Sequence, residues 1–541
     1  MRSTFHGLET ARRGMVTQQA ALYTTGHNIA NANTPGYTRQ RVNFQQTEPY
    51  PAPAMNRPQI PGQMGTGVEA GSIQRVREGF LDVQYRGENN KLGYWTSRSD
   101  AITKMEDIMN EPSDNGLAKT MDQFWQSLQD LSVNPENEGA RAVVHQRGIA
   151  VADTFHYLSS SLSQIQTDIG SQIGVSVTEI NSIAKQISQI NKQISEIEPH
   201  GYLPNDLYDE RDRLLDQLSQ LVDVKVEAKP VGGNALPIAE GTYNVSIVDS
   251  KGNEYSLVTG DSYQKISVEP GSDVDGDGVK ETPTGPITKL TIGTTDMPIA
   301  DATSGGSILT SGKLKGLVES YGYSDGTTDA NGNLVVKGIY PDMLTNLDNM
   351  AYSFATLFNA VHKEGYSLGG TKTDIVFFDE LSTAQGAASN ISVSKNIDDL
   401  ANIAASTKEN ESGNGMNAIN LANVSNMLLS AGTVDLQGDA GSLNISSLNL
   451  PLKTGTLKAN YEGWIGKLGV DGQQAARLKN NTEVLQQSVD ERRESVSSVS
   501  LDEEMTNMIQ FQHAYNAAAR QITVVDEMLD KIINGMGLVG R

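Results

Sequence analysis

The sequence predicts a mainly α chain with a β-rich insertion, elongated and divided into several domains. Three observations carry this expectation. Apolar residues recur every seven positions at both ends and along a central stretch. The period shortens to two in the segment 226–335. Of 541 residues, 37% are hydrophobic and only 6% aromatic, too few for one large core, and the length suits roughly three or four ordinary domains.

The N-terminal element is a helix. Leu8, Met15, Leu22 and Ile29 lie seven apart, and Ala11, Gln18, Thr25 and Ala32 follow each by three. That spacing lays one apolar seam, flanked by small or polar residues, on a helix of roughly 25 residues. It stops at Asn31-Ala32-Asn33-Thr34-Pro35-Gly36-Tyr37. Pro35 drives Thr34 out of the helical region, and Pro followed by Gly fits the centre of a type II turn. Val42 and Phe44 then suggest a short extended piece, and the Pro- and Gly-rich residues 49–71 read as an extended connector.

The C-terminus mirrors the start. Leu501, Met508, Tyr515, Ile522, Leu529 and Met536 are seven apart, with Phe511, Ala518, Val525 and Ile532 on a companion track. Ser500 and Glu503 form a capping box. A solitary amphipathic helix is marginal, and pairing the two ends still leaves apolar surface bare. The termini are therefore expected to complete their folding in an assembly, with Leu8, Met15, Leu22, Ile29, Leu501, Met508, Phe511, Tyr515, Ile522 and Leu529 at its interface.

Between the ends lies a helical body. Residues 74–110 and 117–131 have helical spacing. From 140 to 197 the seam is explicit, with Ile173, Ile180, Ile187 and Ile194 on one track and Ile183, Ile190 and Ile197 on the other. Glu198-Pro199-His200-Gly201 ends it, and Leu207, Leu214, Leu218 and Leu221 mark a second helix. The short linker makes the two antiparallel. Alternation begins at Val222–Val226 and recurs in 243–247 and 287–292. Helix resumes near Pro341 and again near Lys458. The expected domains are 1–70 with 495–541, a terminal assembly domain; 71–225 with 336–364 and 456–494, a long antiparallel body; 226–335, an outer β domain; and 365–455, a mixed α/β region.

Chemistry is sparse. There is no cysteine, hence no thiolate site or disulfide. A formal charge of −23 argues against nucleic acid and anionic membranes, and no window approaches the roughly 20 apolar residues of a span. The start lacks the apolar run of a secretory signal. No metalloprotease histidine pair, nucleophile elbow or phosphate loop occurs. Ser182 and Lys185 have serine–lysine spacing but fall on the isoleucine helix. An enzyme is not expected, and an extracellular hydrolase on this scaffold would need a catalytic constellation that the sequence lacks. One motif invites a cofactor: Asp273, Asp275, Asp277 and Glu281 occupy positions 1, 3, 5 and 9 of a calcium loop with Gly278 at position 6, but Thr284 replaces the closing Glu at position 12. Calcium is one reading; a solvated acidic turn is the other.

The terminal motifs carry a resemblance. Asn28-Ile29-Ala30-Asn31-Ala32-Asn33-Thr34-Pro35-Gly36-Tyr37-Thr38-Arg39, with Glu503-Glu504-Met505 through Ala514-Tyr515 and Asp526-Glu527-Met528-Leu529 at the other end, resembles the bacterial flagellar axial family of rod, hook and hook-associated proteins. Asn28, Asn31, Asn33, Thr34, Pro35, Gly36 and Tyr37 carry the family motif. Pro204–Asp212, Ser311–Gly316 and Phe358–His362 are similar to the hook-associated branch, which joins hook to filament. The resemblance implies a structural protein exported through the flagellar apparatus without a cleaved signal and located outside the cell. It implies self-assembly into a ring, with hook protein, a second junction protein, filament flagellin and an export chaperone as partners. A flagellin-like filament subunit or another axial hook or rod component is the alternative; the Thr-Pro-Gly-Tyr motif and the 204–212 signature speak against a flagellin-like subunit. The acidic loop lies outside the family pattern.

Overall fold

The computed structural model describes residues 4–535, apart from 57–60, 114–115, 275, 302–305, 329–331, 333, 371 and 373. Met536 and Asp275, both singled out above, lie outside the described residues.

Helix α1 (Thr4–Asn31) leads into an antiparallel hairpin of β1 (Gln40–Gln46) and β2 (Val68–Arg75) that lies against it. The hairpin corrects the connector expectation. Composition hid β2, but Val42 is buried and Thr17 Oγ1 donates to the Val68 carbonyl at 3.0 Å, which seats the strands on α1. The body follows as α2 (Gly79–Met109), α3 (Leu117–Val133), α4 (Glu138–Ile197) and α5 (Asn205–Leu221). Asn137 caps α4 by accepting from the Ala140 N–H at 3.1 Å. At 60 residues, α4 is about 90 Å long. Its isoleucines from Ile173 to Ile194 are buried, and it turns at Gly201, φ +81°, into antiparallel α5.

The insertion lies along α4. Strands β3 (Val224–Lys229), β4 (Thr242–Val248), β5 (Glu254–Thr259) and β6 (Ser262–Tyr263) form one antiparallel sheet in sequential order. Next come β7 (Ile266–Glu269), β8 (Gly271–Ser272), β9 (Thr282–Pro283), β10 (Lys289–Ile292) and β11 (Thr295–Pro298). Of these, β11-β10-β7 form a second sheet and β8-β9 a small hairpin. Two amides of α4 act as clips. Asn181 exchanges both hydrogen bonds with the Ile266 backbone at 2.7 and 3.0 Å, and Asn191 does the same for Tyr243 at 3.1 and 2.8 Å. Buried backbone groups at the sheet edge are thereby satisfied. The region 226–335 is not wholly β: α6 (Lys313–Tyr321) buries Leu314, Leu317 and Val318 and packs on α2.

Helix α7 (Ile339–Lys363) leads into the region of short elements α8 (Ala387–Asn390), α9 (Met416–Asn423), β12 (Thr433–Asp435) and β13 (Ser442–Asn444). Then α10 (Leu457–Ser497) runs back antiparallel to α2, and α11 (Leu501–Gly535) runs antiparallel to α1. No described helix is long and apolar enough to cross a membrane.

The 358–362 signature is an anchor. Asn359 Oδ1 accepts from the N–H groups of Phe377 and Phe378 at 3.0 and 2.9 Å, and its Nδ2 donates to the Phe378 carbonyl at 2.8 Å. His362 is fully buried; Nδ1–H donates to the Ile375 carbonyl at 2.9 Å and Nε2 accepts from the Ala404 N–H at 3.0 Å. Both ring nitrogens are engaged only in the neutral tautomer. Burial pushes the imidazole down to about 4, against a weaker opposing effect of the Ile375 carbonyl. Because the folded value lies below the unfolded one, the stability is present above pH 6.5 and lost as pH falls toward 4. The loss expected is about 3 kcal/mol. Urea unfolding between pH 7 and 4, compared with His362→Gln, measures it; equal pH profiles for the two chains would contradict this assignment.

Candidate functional site

The motif at the end of α1 is a clasp. Asn28, buried, faces the departing chain: its Oδ1 accepts from the Tyr37 hydroxyl at 2.8 Å and the Gln40 N–H at 3.0 Å, and its Nδ2 donates to the Gln40 carbonyl at 2.8 Å. The amide accepts and donates here at once, which an ionised carboxylate of the same size cannot do. Burial, then Asp206, Asp209 and Glu504, raise the Tyr37 phenol, which stays a donor. The turn has the expected form: the Tyr37 N–H donates to the Thr34 carbonyl at 3.1 Å, and Gly36 has φ +82°. Asn31 accepts from the Thr34 hydroxyl at 3.3 Å. Asn33, Thr34, Pro35 and Gly36 form an exposed tip. The motif thus divides into an inward clasp, Asn28 and Tyr37, and an outward turn.

Beyond the clasp the chain meets α5. The Thr38 N–H donates to Asp209 at 3.0 Å, Gln40 donates to Asp206 at 2.8 Å, and Asn205 donates to the Ile73 carbonyl at 2.9 Å. The 204–212 signature is therefore the surface on which the terminal module rests.

Asp212 is the centre of an ionic network. Arg75 reaches Asp209 at 2.7 Å and Asp212 at 2.9 Å, and also pairs with Glu240. Arg77 reaches Asp82 at 2.6 Å and Asp212 at 3.0 Å. Arg86 bridges Asp212 at 3.0 Å and Asp216 at 2.8 Å, and Arg493 of α10 meets Asp216 at 2.6 Å. Burial would raise Asp212, but Arg77, Arg75 and Arg86 hold it well below the usual carboxylate range. At Asp209 burial prevails over Arg75 and Thr38, and the shift is upward. Asp209, Asp212 and Asp216 recur at helical spacing and share one face of α5, a signal available in the sequence. The arginines, scattered from 75 to 493, gave none.

The terminal helices meet incompletely. On α1, Leu8, Met15, Leu22 and Ile29 are only half-buried, whereas Ala11, Thr17, Ala21, Thr24, Thr25 and Asn28 are buried. On α11, Met508, Phe511, Tyr515, Ile522 and Leu529 are half-buried and Leu501 is exposed; Glu504 is the one buried side chain among those described. Phe511 meets Phe44 edge-on at 5.9 Å. Met505, Ile509, Val524 and Met528 are exposed.

The acidic hairpin lies apart from this joint. Asp273, Asp277 and Glu281 each place a carboxylate oxygen within 4.8 Å of the others. Asp273 accepts from the N–H groups of Gly276 and Gly278 at 2.7 and 2.9 Å, and Lys265 pairs with Asp277 at 2.8 Å. These donors suit the acidic-turn reading; the carboxylates are the oxygen ligands that calcium takes, but three are fewer than its usual number of about six to eight.

Replacing Asp212 by Ala leaves Arg75, Arg77 and Arg86 short of a shared buried counter-ion. The expected cost is about 3 to 5 kcal/mol in urea unfolding. A loss below roughly 1 kcal/mol, as for surface pairs, would contradict the central place given to Asp212. Its contribution is present above pH 4 and lost as pH falls through the depressed folded value.

The terminal and body features have counterparts in known proteins. A family model described as "Flagellar hook-associated protein FlgK helical domain" matches residues 102–378. "Flagella basal body rod protein" matches 8–38, and "Flagellar basal body rod FlgEFG protein C-terminal" matches 493–535. Flagellar hook-associated protein 1 of Bacillus subtilis (strain 168) is 44% identical, with 100% of each chain covered. That of Salmonella typhimurium (strain LT2) is 28% identical over 67% of this chain and 57% of the relative. The structure of the flagellar hook junction protein FlgK from Burkholderia pseudomallei shares the fold, with TM-score 0.53, 16% identity, and coverage of 76% of this chain and 100% of that one. The matched body domain and the full-length likeness place this chain in the flagellar hook-associated protein 1 family.

Proposed function

We propose that this chain is a non-enzymatic structural subunit at the junction of hook and filament, where copies assemble into a ring through their terminal helices. The observation that carries the reading is the unfinished pairing of α1 and α11. The apolar seam of α11 is half-buried at best and its other faces expose Met505, Ile509, Val524 and Met528, which is surface that neighbouring copies can cover. Hook protein lies on one side of the ring, and a second junction protein and filament flagellin on the other. The chain leaves the cell without a cleaved signal and works outside it. Before export a chaperone covers Met508, Phe511, Tyr515 and Ile522. A filament-subunit role is disfavoured by the Thr34–Tyr37 turn and the 204–212 platform, both of which serve the joint.

Deleting the chain is expected to leave intact hooks and release monomeric flagellin into the medium. Normal motile filaments in the deletion strain would refute the junction role. Tyr515→Asp places a charge on the half-buried seam. It should abolish assembly and chaperone binding while the purified chain keeps the melting transition of its body. Full motility in that mutant would mean the seam is not an interface.

A further inference from the structure

Helix α10 ends at Ser497 and α11 begins at Leu501, so Ser498, Val499 and Ser500 form the whole connection. Local hydrogen bonds finish each helix separately. The Ser498 N–H returns to the Glu494 carbonyl at 2.8 Å, and the Glu504 N–H to the Ser500 carbonyl at 2.9 Å. Neither bond fixes the angle between the helices, and three small or β-branched residues permit many angles.

Arg39 spans this break from outside. Its N–H donates to the Ser497 carbonyl, the last residue of α10, at 2.9 Å. Its guanidinium donates from Nε to Glu504 at 2.8 Å and from Nη1 to Glu503 at 2.7 Å, both in the first turn of α11. Its own carbonyl accepts from the Val76 N–H at 2.8 Å, so the residue is anchored to the strand that leads to the body. Glu504, 2% exposed, is buried by this contact while the apolar residues around it are not. An ionic restraint on the first turn of α11 thus comes from the opposite end of the chain. Charge-assisted bonds of a planar guanidinium to two carboxylates fix direction as well as distance.

We propose that Arg39 is a brace across the 498–500 hinge, setting the direction in which the C-terminal helix leaves α10. Its release frees α11 to swing without unfolding the body. This positioning role goes beyond the junction reading and does not depend on it, because it concerns a single chain.

The absence of cysteine permits unique labelling. Val484 on α10 and Gln512 on α11 are both exposed, and Val484→Cys with Gln512→Cys in the full chain gives a spin-label pair spanning the hinge. Electron–electron distance measurement should give a narrow distribution in the otherwise unaltered chain and one roughly twofold broader with Arg39→Ala. Glu503→Gln with Glu504→Gln should broaden it equally without touching the N-terminal turn, so misfolding of that turn is not the cause. Arg39→Glu combined with Glu504→Arg should narrow it again. A distribution as narrow in Arg39→Ala as in the parent, or one already as broad in the parent, overturns the proposal. Either result leaves the deletion phenotype as an independent test of the junction role.

Discussion

The buried meeting of Arg75, Arg77 and Arg86 around Asp212 decides how the rest of the molecule is arranged. Through it the hairpin strand β2, the start of α2 and the middle of α5 share one set of charges, and Arg493 brings in α10 by way of Asp216. Taking these groups out of water is expensive, and the expense is offset only when every partner is present in the right geometry. An apolar contact would hold the terminal module to the body in many registers. A multidentate ionic one holds it in one. It also covers an apolar face, since the Arg75 guanidinium lies over the buried Tyr208 ring at 5.2 Å.

The terminal helices obey the complementary rule. Where α1 is buried, it is buried through small or polar residues: Ala11, Thr17, Ala21, Thr24 and Thr25. Small residues let backbones approach closely, and a Cβ built at Gly14 would lie 4.0 Å from Ala518 Cβ. The larger seam residues then stand at the edges of the contact and are covered on one side only. The heptad pattern is accordingly a half-finished two-helix contact in the single chain. The surplus is the reason the terminal helices fit an assembly better than a solitary coiled pair.

The helices were legible because their signal is periodic and local. The Ile173–Ile194 track is buried as its spacing requires, and the Pro35-Gly36 turn has the φ that its chemistry demands. Strand β2 was not legible: residues up to 71 read as connector and those from 74 as helix, whereas 68–75 are strand by virtue of their partner β1 and the helix starts at Gly79. Helix α6 was hidden for the opposite reason: nine residues inside a Gly- and Thr-rich stretch leave little periodicity to detect. At the candidate site the clasp residues Asn28 and Tyr37 were named, but their role was not, since it depends on Gln40 returning its backbone to Asn28. Of the Arg75–Asp212 network, only the helical spacing of Asp209, Asp212 and Asp216 is visible in the sequence. Arg75, Arg77 and Arg86 lie more than a hundred positions from Asp212, and charged residues ordinarily signify a solvated surface.

The phenylalanines show how stability is divided between the two parts. The chain has ten. Phe124, Phe155, Phe354, Phe358, Phe377 and Phe378 are fully buried and form one continuous set of ring contacts in the body, where α3, α4, α7 and the segment after α7 meet. The other four, Phe5, Phe44, Phe80 and Phe511, lie in or beside the terminal module, and none is buried. Aromatic side chains carry the largest apolar area available per residue. Six of them are placed in one self-contained cluster in the body. The other four are only partly covered, Phe44 and Phe511 by one another, so apolar area remains unburied towards the terminal end. The two parts therefore differ in how completely each buries its aromatic rings. That division suits the assembly role proposed for the terminal helices.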